Sequence, residues 1–457
     1  MNDLANLYAY IDAHLSDAIA DVTRLCRLPT VSARGEALPE TAQTVASMLR
    51  DLGFSVQLIP TSTGRALVVV GALRGASDFT LLFYNHYDVQ PPEPLDLWTS
   101  PPFEPEVRDG RLYGRGVNDD KGELCARIAA IRALLNTGRH LPISVKFCIE
   151  GEEEIGSPGL DKFVREHKDL LAADACIWEG ASVNWHGEPM ITLGVKGILY
   201  VELEARGPNR DVHSSMATVV PNPAWRLVWA LSTLKNQAEE ITIEGFYDQV
   251  RTPLPLEVSA AHRLPDESGE LRQSLGLQQL VLGLSGTEAR ERDLFAPTCN
   301  ICGLSAGYEG PGAKTVLPAV ARAKLDFRLV PDQRPEDILA KLRRHLDSHG
   351  FSDITVIPVD MGENPARTPI DAPFVNIVAQ AAREAYGVEP LLTPTMIGSG
   401  PMYSFTDFLG LPTASAGIGY PDARIHSPNE NLRLSDLAAG IKHLATIVVR
   451  LGETGRS

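Results

Sequence analysis

The spacing of apolar residues changes character twice along the chain. From Ser55 to about Gly180, the segments SVQLIP, ALVVVGAL, TLLFYNHYDV, ISVKFCI and DACIW read as strands. Between the third and fourth, apolar side chains at Leu124, Ile128, Ile131 and Leu135 fall on one face of a helix over 121–137, which Gly138 stops. Continuous apolar strands separated by helices predict a largely buried, mostly parallel sheet. The same style resumes after about Pro369, with a helix over 374–386, a strand near TASAGIG and a last helix from Ser435. At the N-terminus, Leu4, Leu7, Ile11, Leu15 and Ile19 recur at helical spacing and predict one amphipathic helix.

The middle of the chain follows another rhythm. ILYVELEARG alternates like a half-buried strand, NPAWRLVWALSTL is helical, and TCNICGLSAGY and ARAKLDFRLVP are strands. PEDILAKLRRHLDSHG is a helix opened by Pro335 and stopped by Gly350, and DITVIPVD is a strand. That order, β-α-β-β-α-β, is the split βαβ sandwich. The fold class expected is therefore α/β, a mostly parallel sheet flanked by helices over residues 1–192 and 368–457. A ferredoxin-like α+β domain is inserted over residues 193–367. Residues 239–297 are less regular and predict long loops or extra helices.

Composition narrows the partners. The chain has 457 residues, 44% hydrophobic and 22% charged, ordinary for a globular protein. A formal net charge of -16 argues against nucleic acid or an anionic membrane, which call for Lys/Arg surfaces, and suits a protein that holds cations. No apolar run is long enough to span a membrane, and the N-terminus lacks the basic start and apolar core of a secretory signal. Six scattered cysteines form no disulfide framework, and the compartment expected is the cytoplasm. Cys299 and Cys302 form a CxxC, but no second pair follows at zinc-binding spacing.

Candidate chemistry gathers at strand ends of the α/β part. TLLFYNHYDV ends in His86-Tyr87-Asp88, and residues two apart on a strand share a face, so Asp88 can hydrogen-bond the His86 ring and raise its basicity as a ligand. GRLYGRGVNDDKG places Asp119 and Asp120 at the start of the 121–137 helix after a glycine-rich turn. One aspartate is explained as an N-cap, two are not, and one of them can bridge two cations. FCIEGEEEIGSPG stacks Glu150, Glu152, Glu153 and Glu154 at the next strand end. On an extended segment Glu153 and Glu154 point opposite ways, one towards a metal and the other free to take a proton from water. Glu152 and Glu150 read as solvated or structural. Glu179 ends strand DACIW, and His426 lies in the loop ARIHSPNENLR, whereas His345, His349 and His443 read as exposed helix positions. Two histidines and three carboxylates suit two divalent metals of zinc type sharing one carboxylate.

The set HYDVQP, GRGVNDDKG, EGEEEIGSPG, WEG and IHSPNE closely resembles the dizinc exopeptidases. That family includes carnosinase-like cytosolic dipeptidases, glutamate carboxypeptidase, aminoacylase, acetylornithine deacetylase and succinyl-diaminopimelate desuccinylase. The resemblance covers nearly the whole chain and is nearest to the carnosinase-like dipeptidases, through HYDVQPPEPLDLWTSPPFEPEVRDGRLYGRG and GAKTVLP. It implies two divalent metal ions per chain, zinc first and manganese or cobalt as alternatives. It implies that His86 and Glu179 end one metal, Glu154 and His426 the other, and that Asp119, usually followed by a cis peptide, bridges them. Asp88 would orient His86, and Glu153 would be the general base.

In the inserted domain, a lid that also carries the homodimer contact, GPNRDVHSSMA resembles the segment whose histidine polarises the scissile carbonyl in the partner subunit's site. That residue here is His213. Arg328 resembles the arginine that grips the substrate carboxylate. Asn300, Thr315, Gly398, Ser399 and Gly400 match further substrate contacts. One position departs from the dipeptidases, which carry Asp where this chain has Glu179; in the family, Glu there goes with carboxypeptidases and deacylases. The activity implied is hydrolysis of an amide next to a free carboxylate, in a small peptide or, alternatively, an N-acyl amino acid.

Overall fold

The computed structural model describes residues 2–138, 140–359 and 362–454. They form two compact units. One takes in the described residues up to Gly194, Arg367–Pro394 and those from Pro401 onward; the other is Val195–Ala366 with Thr395–Gly400.

The first unit is built on a six-stranded sheet in the order Ser55–Pro60, Leu67–Leu73, Ser144–Glu150, Thr80–His86, Ala175–Trp178, Thr413–Ser415. The last four pair in parallel, and only Leu67–Leu73 runs against the rest. Both faces are covered, so the strands can be apolar without alternation. Phe83, Phe147 and Ile177 share one core with Leu124, Ile128 and Ile131 of helix Lys121–Asn136, with Val378 of Pro373–Tyr386, and with Leu444 and Val448 of Leu434–Thr454. Helix Lys121–Asn136 is buried nearly all round rather than on one face, so Lys121, Glu123 and Arg127 are buried too. Backbone and hydroxyl oxygens receive the Lys121 ammonium: Leu25 O, Leu28 O and Thr30 Oγ1.

The N-terminal helix breaks in two, Asn2–Ala13 and Leu15–Cys26. His14 sits at the break, its ring stacked on Tyr10 and its Nδ1 2.9 Å from Tyr10 O. The break rotates the buried stripe from Leu7 and Ile11 to Ala18, Val22 and Leu25, leaving Leu15 and Ile19 only half-buried. Two histidines expected on exposed helix faces are core residues: His345 bonds Thr233 Oγ1 at 3.0 Å, and His443 meets Val378 O at 3.1 Å. Each lies beside aliphatic residues on the buried side of its helix, Leu342 and Leu346 for His345, Ile441 and Leu444 for His443, and an imidazole with one partner fits such a place. His349 is exposed, as the sequence predicts.

The second unit is built on a four-stranded antiparallel sheet in the order Asn300–Ala306, Val320–Leu329, Gly197–Arg206, Thr355–Pro358. With helices Pro223–Leu231 and Pro335–Ser348 this is the split βαβ arrangement. Leu199, Val201, Leu203, Leu325, Phe327 and Leu329 alternate into one core. Three short helices, Pro255–Arg263, Ser268–Ser274 and Gly286–Phe295, occupy the irregular stretch.

Candidate metal centre and active site

The carboxyl ends of the parallel strands are where an open α/β sheet leaves room for a site. His86 closes one strand, Glu179 directly follows another, and the acidic run follows a third. Arg127, inside helix Lys121–Asn136, donates to Tyr84 O and to Trp178 O, tying together the two strands that deliver His86 and Glu179. Asp120 accepts from Asn85 Nδ2 at 2.6 Å and His86 N at 3.0 Å, fastening the helix start to the same strand end.

Asp88 does two things. Its backbone O and its Oδ1 lie 3.1 and 3.3 Å from His86 Nδ1, and its two carboxylate oxygens accept the backbone N–H groups of Glu153 and Glu154 at 3.2 and 3.1 Å. It thus turns His86 Nε2 inward and caps the acidic turn. The turn is a 3-10 helix, Glu153–Ile155, not the extended segment expected, because those capped N–H groups start a helical turn. Successive side chains still diverge: Glu154 Oε2 lies 3.1 Å from His426 Nε2, while Glu153 Oε2 lies 4.0 Å from His86 Nε2. Gln90 donates to both Glu154 oxygens, from its backbone N at 3.1 Å and its Nε2 at 2.9 Å.

Asp119 stands between the two imidazoles, Oδ1 3.0 Å from His86 Nε2 and Oδ2 2.9 Å from His426 Nε2. The Asp119–Asp120 peptide is cis. Glycines are needed on both sides of it: before it Gly116 has φ +86, and after it a Cβ at Gly122 would lie 1.9 Å from Val117 O. Glu179 Oε2 lies 3.7 Å from His86 Nε2.

The other two carboxylates of the run are structural. Glu152 is buried under the hydroxyls of Thr61 and Thr63, each 2.8 Å from Oε2, so the solvated alternative does not hold. Glu150 accepts from Tyr84 OH and Ser157 Oγ, both at 2.8 Å, and burial pushes its carboxyl up to about 8.

Charge in the cluster is unbalanced. Hydrogen bonds to Asp119 and Glu154 push His426 up to about 10, against burial. Burial alone would raise Asp119, but hydrogen bonds from His426 and His86 hold it well below the carboxylate range. Glu153 and Glu179 are pushed well up, first by burial; His86 opposes this, and their neighbouring carboxylates add to it. Among the described residues no Lys or Arg pairs with any of these four carboxylates, and Glu179 Oε2 has no hydrogen-bond partner. Donor atoms of His86, Asp120 and Glu179 lie within 4.8 Å of one another, as do those of Asp119, Glu154 and His426. Asp120 is the weaker donor of the first trio, since Asn85 and the His86 backbone occupy its Oδ2, while Asp119 reaches the His86 ring directly. Imidazole and carboxylate donors with a deficit of positive charge suit divalent cations.

The remaining candidates lie in the second unit, in two groups. His213 Nδ1 accepts from Ser215 N at 3.2 Å, and its Nε2 is 3.3 Å from Thr315 Oγ1, because strands Val212–His213 and Val316–Leu317 pair. Arg328 Nη1 donates to Ser399 Oγ at 2.7 Å and its Nε lies 3.6 Å from Asp326, which also accepts from Asn300 Nδ2 at 2.9 Å. Gly398 offers its carbonyl to Lys196 N at 2.9 Å. Cys299 is buried and Cys302 exposed, its thiol 3.0 Å from Asp326 Oδ1. Gln90, Arg127, Arg115 and Glu430 are the contributors that sequence reading missed; Gln90 in HYDVQP, Arg115 in GRGVNDDKG and Glu430 in IHSPNE stand within the motifs, and Arg127 stands outside them.

The profile of peptidase family M20/M25/M40 matches residues 82–450. A solved M20 family metallo-carboxypeptidase from Sulfolobus solfataricus is 37% identical and superposes with a TM-score of 0.90 over 96% of this chain and 99% of its own. A Cys-Gly metallodipeptidase of Schizosaccharomyces pombe is 30% identical over 98% of both chains. Human Beta-Ala-His dipeptidase is 26% identical over 98% of this chain and 93% of its own.

Proposed function

The chain belongs to peptidase family M20/M25/M40 and is a metallopeptidase, and on that premise we propose that it is a two-metal exopeptidase. It would hydrolyse the amide bond next to a free C-terminal carboxylate in dipeptides or short peptides. The observation that carries this reading is Asp119, whose two oxygens face two different imidazoles at 3.0 and 2.9 Å. His86 and Glu179 would hold one cation, Glu154 and His426 the other, and Asp119 both. The donor set suits zinc first, then manganese or cobalt.

When bound, the cations supply Lewis acidity to water and to the scissile carbonyl. Glu153, outside the ligand set, takes a proton from the attacking water and delivers it to the leaving nitrogen. Asp88 keeps the His86 ring in its ligating orientation. His213 donates a hydrogen bond to the carbonyl oxygen as charge develops there. Arg328 grips the terminal carboxylate with its planar fork, which restricts cleavage to chain ends; Asn300, Thr315, Gly398 and Ser399 complete the contacts. The second unit acts as a lid and as the contact of a homodimer, with His213 serving the partner subunit's site. Six unpaired thiols support a reducing, cytoplasmic setting.

A second reading, an N-acyl-amino-acid deacylase, is favoured by one residue, Glu179. A panel with metal-loaded protein separates the two: dipeptides, peptides ending in Glu or Asp, and N-acetyl or N-succinyl amino acids. Turnover of peptides with free carboxylates, lost on amidation, supports the exopeptidase. Turnover of acyl amino acids alone replaces it with the deacylase.

A further inference from the structure

The two halves of the cluster come from loops far apart in sequence: Asp119 from the turn before helix Lys121–Asn136, His426 from the loop near the C-terminus. One carboxylate joins them. Glu430 is buried, and four donors converge on it, two per oxygen. Arg115 Nη1 and Gly116 N reach Oε2 at 2.8 and 3.0 Å, and Asn118 N and Asp119 N reach Oε1 at 3.0 and 3.1 Å. Three of these are successive or near-successive backbone N–H groups of the Asp119 turn, wrapped on one anion as a nest. The Glu430 carbonyl accepts from Gly114 N at 3.0 Å, and the next residue, Asn431, pairs with Tyr113. Arg115 also reaches Pro91 O at 3.3 Å, on the segment that follows Gln90.

We infer that Glu430 is the positioning residue that makes the Asp119 turn and the His426 loop one rigid piece, so that Asp119 can face both imidazoles at once. It touches neither ring and no reacting atom; its contacts are with the backbone that aims Asp119. Glutamine is the wrong substitute, since its amide would set N–H against one of two pairs of N–H donors. Aspartate keeps the charge opposite Arg115 but is one methylene short of the Asn118 and Asp119 donors. The inference rests on the two-metal reading, and the test separates the two.

Wild type, Glu430→Gln, Glu430→Asp and, as a stability control, Leu444→Ala are stripped and titrated with cobalt(II), following stoichiometry, affinity and the visible absorption band. Both Glu430 variants are expected to bind the second equivalent about 10- to 100-fold more weakly with an altered band, and to lose kcat about in proportion. KM should stay within about threefold of wild type. Leu444→Ala loses thermal stability and keeps both affinities and the band. If Glu430→Gln does not fold, Arg115→Lys is expected to show the same changes at smaller size. Folded Glu430 variants that bind two cobalt ions as tightly as wild type, with an unchanged band, overturn the positioning role. Wild type that never binds two ions overturns the two-metal reading instead.

Discussion

At the carboxyl edge of the parallel sheet, Asp119, Glu153, Glu154 and Glu179 face two imidazoles and, among the described residues, no other cationic side chain. On the solvent-facing side of the antiparallel sheet, Asp326 is shared by Asn300, Cys302 and Arg328, so charge is nearly balanced within the chain. The first cluster is costly as it stands, because like charges are brought together away from water. It makes sense as a place for added cations. The second needs nothing to be stable, and its arginine keeps donors to spare beyond Ser399. On the proposed reading, a deficit of charge marks the centre that would hold ions, and a balanced cluster with guanidinium donors left over marks a grip for a carboxylate that arrives and leaves.

The contrast can be broken most sharply at Glu153. On the proposed reading, Glu153→Ala should lower turnover by about 10³-fold or more while both metals stay bound, since it would remove a general base and no ligand. Near-normal turnover would remove Glu153 from the base role. Chelation comes next: at free metal about a thousandfold above Kd, binding stabilises by about 4 kcal/mol, and stripping the protein should lower its melting temperature and abolish turnover. An unchanged melting curve would mean that the carboxylates balance their charge in some other way.

In the balanced cluster, Arg328→Met should cut kcat/KM by about 100-fold for substrates with a free carboxylate, about the worth of a charge-assisted bidentate contact, and leave metal binding alone. Loss of metal instead would erase the division between the clusters. Whether His213 works across a dimer is tested by mixing Glu153→Ala and His213→Ala chains. Action on the partner's site predicts recovery of about a quarter of wild-type activity in random dimers, and action within one chain predicts none.

The smallest effect concerns a group outside both clusters. Burial lowers His443 to about 4 from its ordinary 6.5, so it folds neutral. The unfolded chain takes up the proton first, and stability of about 2–3 kcal/mol present above pH 6.5 should be lost as pH falls towards 4. Chemical denaturation of wild type and His443→Gln across this window reads it directly; parallel slopes would dismiss the histidine.

Much of the fold was legible because periodicity reports which faces meet other parts of the chain. The apolar runs around Phe83 and Phe147 announced strands covered on both sides, and the alternation in ILYVELEARG announced a sheet covered on one. Where the reading slipped, local pattern was overruled by packing. His14 breaks a helix that the leucine spacing would have continued, and Arg127, Lys121 and His443 are polar residues inside a core because backbone oxygens happen to reach them. Glu152 shows the same effect within a motif, since nothing in three consecutive glutamates says which one will meet Thr61 and Thr63.

The candidate centre divides along the same line. Residue type and strand-end position determined that histidines and carboxylates would gather at one edge of the sheet, because side-chain direction on a strand and the ends of parallel strands follow from local geometry. Which carboxylate stands between the two imidazoles, which is capped by hydroxyls, and that Glu430 gathers four donors from a turn more than 300 residues earlier in the chain were decided only in three dimensions. Those outcomes depend on distances of a few tenths of an ångström between distant segments, and only the packed chain sets distances of that kind.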